Sequence, residues 1–370
     1  MRGNYSVREY EIALNMIPGI GRKRFRSLVG YFGNAKAVFE SGIGDLSGVP
    51  DIGSVTAKTI REFDVAKNLD SELECLHKYN IHTLHLYDDD YPTLLKAIYD
   101  PPVLLYIQGH VEKNDKMPLA VIGTRMPTKY GSMATEKLVR ELLPYNPVII
   151  SGLARGIDTI AHKTTLKGSG KTYAVLGSGL LNIYPPENRE LAGRIIENGA
   201  IISEFNLFRK PDKMNFPARN RIVAAMSVGT LVVEAPEKSG ALITAYFATD
   251  YGREVFAVPG PVNSPKGKGG NSLIRRGAKL VERVEDIIEE LPGGDEMLKS
   301  METNKSEKNE EGLSSEERAV FHHINEEPKH IDNIAEGAQM ASPTVSAILM
   351  QLEMMEKVKN LGGHFYVRMF

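Results

Sequence analysis

The middle of the chain alternates short apolar runs with longer segments of mixed polarity. Each apolar run is rich in Val, Ile, Leu and Ala, and each intervening segment is long enough for a helix. This alternation is typical of a doubly wound, Rossmann-like parallel sheet in an α/β domain. A run at residues 103–107 predicts one more strand at an edge of that sheet. The predicted parallel strands are residues 119–122, 148–150, 173–176, 200–202, 230–233 and 255–258.

The N-terminal segment, residues 1–70, has the spacing of short helices. Two glycine turns, at residues 17–21 and 49–53, each precede a helical pattern and are similar to the turns of helix-hairpin-helix and SAM-like modules. In such modules, backbone amides at the second helix can hold a duplex phosphate. The second turn contains Asp51, which opposes phosphate, so a pure packing role stays open. Four cations follow the first turn: Arg22, Lys23, Arg24 and Arg26.

The C-terminal part divides into a polar segment and a small domain. Residues 291–312 lack periodicity and predict a flexible linker after the sheet domain at residues 71–290. Residues 313–370 show three helical patterns and a hairpin around two glycines, which is typical of a winged helix. The third helical pattern carries Glu353 and Glu356, whereas a helix that enters a DNA groove should be basic. We therefore expect this domain to contact a protein partner or a second copy.

Composition excludes several classes of protein. The chain has 370 residues and 42% hydrophobic content, enough for two or three cored domains. A single cysteine, Cys75, forms no internal disulfide and fits a reducing cytoplasm. The chain shows no apolar signal core, no run of the roughly 18 apolar residues that a membrane helix needs, and no metal-ligand spacing. We expect a cytoplasmic protein without a metal or a cofactor.

The net charge of −2 conceals an uneven distribution. Residues 115–290 hold 24 Lys and Arg against 18 Asp and Glu, whereas the rest of the chain is acidic. A basic middle segment in an acidic chain favours a polyanionic ligand at the sheet domain.

Small residues and cations follow the predicted strands. Ligands of doubly wound sheets bind beyond the carboxyl ends of the strands, so these segments should line the site. The first strand is followed by Gly123, Thr124 and Arg125. The second is followed by residues 151–158, a small-residue turn that opens a helix and is expected to leave backbone N–H groups bare for an anion. Such a turn could hold a nucleotide or a nucleic-acid phosphate.

No enzyme fingerprint accompanies this turn. Residues 177–182 lack the third glycine of a dinucleotide motif, and no P-loop sequence occurs. His162 follows Asp158 by four residues, and we favour a structural pair or cap over a catalytic base. Glu204 and Glu234 follow strands and are expected to orient nearby arginines. No catalytic residue is therefore predicted.

An aromatic residue next to cations favours a nucleic acid. Phe216 lies close in sequence to Lys213 and Arg219. Single-stranded nucleic acids are bound in this way, with a base stacked on a ring and phosphates held by cations. A single strand is therefore the predicted ligand.

These motifs resemble those of the DNA-processing protein A family (DprA, also called Smf). The resemblance runs through about residues 80–290, and the flanking modules fit the family's three-part layout. The matching segments are residues 90–92, 100–104, 121–125, 151–158, 161–162, 171–177, 184–185, 203–204, 216–221, 239–245, 258–260, 271–274 and 277–278.

The resemblance implies a protein without enzymatic activity. It implies binding of single-stranded DNA on the Rossmann-like domain, homodimer formation, and loading of the RecA recombinase during natural transformation. By resemblance, Arg125 and Lys213 hold phosphates and Phe216 stacks a base. Ile274 and Leu280 match the dimer-forming stretch. The remaining pocket residues implied in this way are Gly123, Thr124, Ser151, Gly152, Lys171, Arg219 and Asn220.

Three positions depart from the family pattern. Pro186 stands where many members carry a basic residue, so one phosphate contact implied by the resemblance stays open. Leu181 stands where an acidic residue is usual, and Ala241 where a serine is common. The alternative function is a Rossmann-like nucleotide phosphoribohydrolase, which uses a Pro-Gly-Gly-x-Gly-Thr segment. Neither residues 259–261 nor residues 239–241 fit that segment.

Overall fold

The computed structural model describes residues 5–301, 312–325 and 327–369. The chain forms two compact units, one up to Pro292 and one from Gly293. The linker prediction falls partly outside the described residues, at 302–311. Residues 294–301, within the predicted linker, are helical and belong to α15, which differs from the prediction of a flexible segment there.

The first unit begins with a helical module that has its own apolar core. Helix α1 begins at a capping box in which Ser6 and Glu9 bond reciprocally. Leu14, Leu28 and Leu46 are buried together in the core of the module. The helices are α1 (Val7–Met16), α2 (Arg22–Phe32), α3 (Ala35–Glu40), α4 (Ile43–Ser47), α5 (Ser54–Glu62) and α6 (Val65–Lys78).

A single sheet follows, with strands in the order β1-β2-β6-β5-β4-β3-β7-β8-β9. Neighbours from β6 to β9 in that order are parallel, whereas β2 pairs antiparallel with β6 and with β1. The strands are β1 (Ile81–His85), β2 (Leu104–Gly109), β3 (Pro118–Ile122), β4 (Val148–Ser151), β5 (Lys171–Val175), β6 (Gly199–Ser203), β7 (Gly229–Val232), β8 (Glu254–Ala257) and β9 (Lys279–Leu280).

Helices cover both faces of this sheet, as the parallel topology requires. Ile150 and Val175 pack in one cluster with residues of α11 and α12. Ala174, the neighbour of Val175, packs with residues of α9 and α10 on the opposite face. The helices are α7 (Thr93–Lys96), α8 (Lys129–Leu142), α9 (Ile157–Lys167), α10 (Arg189–Glu197), α11 (Asn215–Ala225), α12 (Gly240–Asp250), α13 (Lys268–Arg275) and α14 (Glu285–Ile288).

The second unit contains a winged helix. Phe321, Leu349 and Leu352 are buried in its core. Gly362 and Gly363 adopt positive φ values of 92° and 59° at the tip of the β11–β12 hairpin, a conformation that favours glycine. The elements are α16 (Ser315–Phe321), β10 (Lys329–His330), α17 (Ile331–Ala338), α18 (Ser342–Met354), β11 (Val358–Gly362) and β12 (Phe365–Arg368).

The structure confirms the predicted fold class. Each apolar run identified in the sequence forms a strand, and the run at residues 103–107 corresponds to β2. The predicted edge position of that strand was wrong, because β1 pairs with its outer side and is itself the edge strand. Strands β1 and β9 were missed because β1 mixes two histidines with apolar residues and β9 has only two residues. None of the described helices is long and apolar enough to cross a membrane.

Candidate functional site

A cavity of about 350 Å³ lies beyond the carboxyl ends of β3, β4 and β7. The strand order reverses between β3 and β7, which is where doubly wound sheets bind ligands. We call this space the strand-end cavity. The residues that line it are Ile122, Gly123, Thr124, Arg125, Gly152, Ala154, Asp158, Phe216, Arg219, Asn220, Val223, Pro236, Ser239, Gly240, Ala241 and Thr244.

Arg125 is presented by a loop held close to its neighbours. A Cβ atom at Gly123 would lie 2.6 Å from the Ile157 side chain, so only glycine permits this approach. The Thr124 amide donates to the Glu234 carbonyl over 2.7 Å, and the Ile157 amide donates to the Thr124 carbonyl over 3.2 Å. The Arg125 side chain is exposed at the end of this fixed loop.

The Arg125 guanidinium lies over the ring of Phe216, 5.1 Å from the ring centroid. Phe216 is half-buried in the first turn of α11, and the buried Arg219 guanidinium is 6.0 Å from the same ring. Arg125, Phe216 and Arg219 were predicted from the sequence to share one site, and they lie next to one another in the structure. A cation beside a partly exposed ring can hold a phosphate while the ring stacks on a base.

Arg219 is only 4% exposed and joins two strand ends. Its Nη1 donates to the Gly152 carbonyl and, over 2.6 Å, to the Val175 carbonyl, and its Nε donates to Asn220 Oδ1 over 2.9 Å. Burial lowers the pKa of Arg219 to about 10, although Asp158 opposes that shift. The side chain therefore stays charged at neutral pH and places a positive charge in the wall of the cavity.

The turn at residues 151–158 differs from the prediction of bare amides. The Gly152 and Ala154 amides donate to Asp158 Oδ2 over 3.1 and 3.3 Å, so the turn's own carboxylate occupies them. Ser151 is fully buried, and its hydroxyl donates to the Val121 carbonyl over 2.7 Å. The prediction of an amide wall for a phosphate was therefore wrong at these positions, and the positive charge comes from side chains instead.

Lys171 lies at the amino end of β5, away from the strand-end cavity. Its Nζ donates to Glu112 Oε1 over 2.6 Å and to Asp115 Oδ1 over 2.9 Å. The expectation that Lys171 completes the pocket was wrong, because its motif runs the length of a strand. Only the far end of that motif, at Gly177, reaches the site.

Lys213 and Asn220 flank Phe216 in sequence. Lys213 is exposed just before α11 begins. Asn220 lines the cavity, and its Nδ2 donates to the Gly240 carbonyl over 3.1 Å, which joins α11 to the start of α12.

The residues considered for acid–base chemistry have structural roles. His162 is buried against Thr172 Oγ1 at 2.7 Å, and burial lowers its pKa to about 3. Glu204 pairs with the buried Arg221, as expected of a residue that orients an arginine. Glu234 instead accepts from the Thr128 amide over 2.8 Å, so its predicted partner was wrong and it holds the residue that caps α8.

The cations after the first glycine turn have protein partners, although the pair of Lys23 with Asp51 is exposed. Arg22 pairs with Asp100 over 2.7 Å, and Arg26 donates to the Pro101 carbonyl over 2.7 Å. Lys23 pairs with Asp51, and Arg24 donates to the Gly19 carbonyl. These contacts favour the packing role for the helical module over the phosphate-binding role.

The two predicted dimer residues lie near one edge of the sheet. Ile274 is half-buried and packs against the core, and Leu280 is 39% exposed on the edge strand β9. The homodimer stays a prediction.

Two side chains beside Phe216 were not among the predicted site residues, although Arg155 had been considered as a cation next to the turn at residues 151–158. Tyr184 and Arg155 line a narrow cleft together with Phe216 and Arg125. Tyr184 entered only as part of a motif, and nothing in its local sequence marks its ring as a neighbour of Phe216.

The sheet domain and the C-terminal region each match a known family model. The family model described as DNA recombination-mediator protein A matches residues 82–292, which include every strand from β2 to β9. The chain belongs to this family. A second model, the DprA winged helix domain, matches residues 304–364.

Proteins related in sequence to this chain agree with this family assignment. The chain is 42% identical over 221 residues to DNA processing protein DprA of Bacillus subtilis, covering 60% of this chain and 74% of that protein. It is 37% identical over 305 residues to protein Smf of Escherichia coli, covering 82% and 81%.

Two solved structures share the fold. DNA processing protein A from Streptococcus pneumoniae has a TM-score of 0.65 at 36% identity, covering 77% of this chain and 98% of that one. The protein from Helicobacter pylori, described for its single-stranded DNA binding mode, has a TM-score of 0.51 at 32% identity, covering 60% and 97%.

Proposed function

We propose that this chain binds single-stranded DNA at the strand-end cavity and acts as a recombination mediator without catalysing a reaction. The observation that carries this proposal is the exposed Arg125 guanidinium, 5.1 Å from the half-buried ring of Phe216 at the mouth of the cavity. A phosphate on the cation and a base on the ring would engage one nucleotide in any sequence.

The charges around the cavity support an anionic ligand. Asp158 is buried, accepts two backbone amides and faces the charge of Arg219, so it presents little negative field to the cavity. Glu234 is likewise held by Thr128. Arg125 is exposed at the same place, so a phosphate meets positive charge first.

The absence of catalysis is part of the proposal. His162 is buried with its pKa lowered to about 3, and Glu204 is paired with Arg221. His162, Glu204 and Glu234, the described candidates for acid–base chemistry, thus each make a structural contact. The Gly260 backbone is also bonded to Asn271 over 3.0 and 2.9 Å, so its amide is not free to hold a nucleotide, which disfavours the phosphoribohydrolase alternative.

The cellular role proposed follows from the family. A mediator of this family would act in the cytoplasm as a homodimer that covers incoming single strands and helps load the RecA recombinase during natural transformation. The relatives named for DNA processing and the Helicobacter pylori protein described for single-stranded DNA binding support this role.

The binding site can be tested by fluorescence anisotropy with a labelled oligothymidine at several salt concentrations. The log–log salt slope should be about −0.7 for each phosphate held. Arg125→Ala should weaken binding and make the slope less negative by about 0.7. Arg140→Ala removes an equal charge from the far end of α8 and should leave both values unchanged. Wild-type affinity and slope in the Arg125 variant would refute the site.

A further inference from the structure

We propose, on the basis of the proposed function, that the bound strand continues from Phe216 onto Tyr184 and Arg155. Tyr184 then supplies a second stacking surface, Arg155 holds the adjoining phosphate, and the Glu187 carboxylate competes with that phosphate for Arg155. Glu187 would thereby lower the affinity for DNA in the wild-type protein.

Tyr184 and Phe216 lie side by side at the site. Their ring centroids are 6.0 Å apart with the planes tilted by 44°. Tyr184 is 36% exposed, whereas Phe216 is seated against Gly177, where a Cβ atom would lie 2.8 Å from the ring. The two rings therefore form one partly exposed aromatic surface.

The spacing of the rings determines how bases can use them. A base sandwiched between parallel rings needs about 7 Å between them, twice a contact distance of about 3.5 Å. Rings tilted and 6.0 Å apart leave no such gap, so each base would stack on an outer ring face. Consecutive bases on two adjacent rings would bring a backbone phosphate close to the second ring, where a cation could hold it.

Arg155 lies where that contact is needed. It lines the same cleft as Tyr184, and its side chain is 53% exposed. Its Nε donates to Glu187 Oε1, in a short 3₁₀ turn (Pro186–Asn188) that directly follows the Tyr184–Pro185 pair. The arginine is therefore exposed, charged and within reach of a strand on the Tyr184 ring.

The ion pair of Arg155 with Glu187 can be replaced by a phosphate. Glu187 is 50% exposed, and Arg155 lowers the pKa of its carboxyl, so the carboxylate stays ionised at neutral pH. An exposed ion pair is weak, so exchange of the carboxylate for a phosphate loses little. Removal of the Glu187 charge should therefore strengthen DNA binding, which is the opposite of what a purely structural ion pair predicts.

The role of Tyr184 as a second stacking surface can be tested by measuring oligothymidine binding by fluorescence anisotropy across a salt series. Tyr184→Ala should weaken oligothymidine binding about fivefold or more, because stacking on one aromatic ring is lost. The salt slope should stay at the wild-type value, because no phosphate contact is removed. Tyr184→Phe keeps the ring and should bind within twofold of wild type. Wild-type affinity in Tyr184→Ala would overturn the second stacking surface.

The competition between Glu187 and a phosphate for Arg155 can be tested with charge-removing variants of both residues and a matched control. Arg155→Gln should weaken binding and make the slope less negative by about 0.7. Glu187→Gln should bind more tightly at low salt than Glu190→Gln, a control with the same charge change on an exposed site of α10. In the Arg155→Gln background, Glu187→Gln should have no more effect than Glu190→Gln. Equal affinities of the two single glutamate variants would refute the competition.

The design separates failure of this inference from failure of the proposed function. If the wild-type chain does not bind oligothymidine, the proposed function is wrong. If it binds and Arg125→Ala weakens it, while the Tyr184 and Arg155 variants bind as wild type, only the extended path is wrong. Thermal melting of each variant checks that a loss of binding is not a loss of folding.

Discussion

Gly152→Ala should destabilise the first unit by removing Arg219 from the ends of β4 and β5. A Cβ atom at residue 152 would lie 2.1 Å from Arg219 Nη1 and 2.3 Å from its Cζ. The guanidinium is the far end of a flexible side chain and can move. Movement would break its bonds to the Gly152 and Val175 carbonyls at a site where Arg219 is 4% exposed.

The magnitude follows from those two hydrogen bonds. A bond from a charged donor contributes about 1.5–3 kcal/mol, so losing both costs about 3–6 kcal/mol before relaxation. Partial repair by neighbouring groups should bring the loss in the free energy of unfolding to about 3 kcal/mol. The displaced cation would also disturb the seat of Phe216, so single-strand affinity should fall as well.

The assay is urea unfolding followed by far-ultraviolet circular dichroism, because the chain has no tryptophan. Gly193→Ala is the matched control, since a Cβ atom there meets nothing within 4 Å and Gly193 lies inside α10. That control should be neutral or more stable by up to about 1 kcal/mol. A Gly152→Ala variant as stable as wild type would show that Arg219 does not join the strand ends in the way its geometry indicates.

Three further outcomes are expected. Burial raises the pKa of Glu72, so the folded state favours its protonated form. The stability that the protonated form contributes is lost as pH rises, because the carboxyl must then ionise while buried. Glu72→Gln, which cannot ionise, should therefore raise the melting temperature at pH 8 more than at pH 4.5. Burial lowers the pKa of His162 from 6.5 to about 3, so stability should fall as pH drops below about 6.5, and His162→Gln should make that fall shallower. Deletion of residues 313–370 should leave oligothymidine affinity nearly unchanged in anisotropy, and a large loss would show that the winged helix binds DNA.

The sequence predicted the strands well because parallel strands are buried on both faces and are therefore continuously apolar. It also predicted the meeting of Arg125 and Phe216, since the carboxyl ends of parallel strands share one edge. Side-chain partners were harder to predict. Lys171 belongs to a motif whose other end reaches the site, but Lys171 itself lies at the opposite end of β5. The amides of the turn at Gly152 are already bonded to the carboxylate of Asp158, six residues further along the chain. Motifs indicate which segments gather, whereas geometry decides which polar atoms are already bonded.

Three exposed cations near the two rings set an expectation for how many phosphates one copy of the chain would hold at the proposed site. The middle segment has more cations than anions, yet Arg219, Arg221 and Lys171 are committed to protein partners. Arg125 and Arg155 are exposed beside the aromatic rings, and Lys213 is exposed next to α11. If each of these three cations held one phosphate, the salt slope would be about −2, which would be shallow for the proposed role of covering a long strand. Under the proposed function, stacking on Phe216 and Tyr184 would then supply much of the affinity of one copy of the chain, and a second copy on the same strand would add the rest through effective concentration. A slope near −2 for the monomer and near twice that for a dimer on a longer oligonucleotide would agree with this division, whereas a monomer slope much steeper than −2 would place further phosphate contacts elsewhere on the chain.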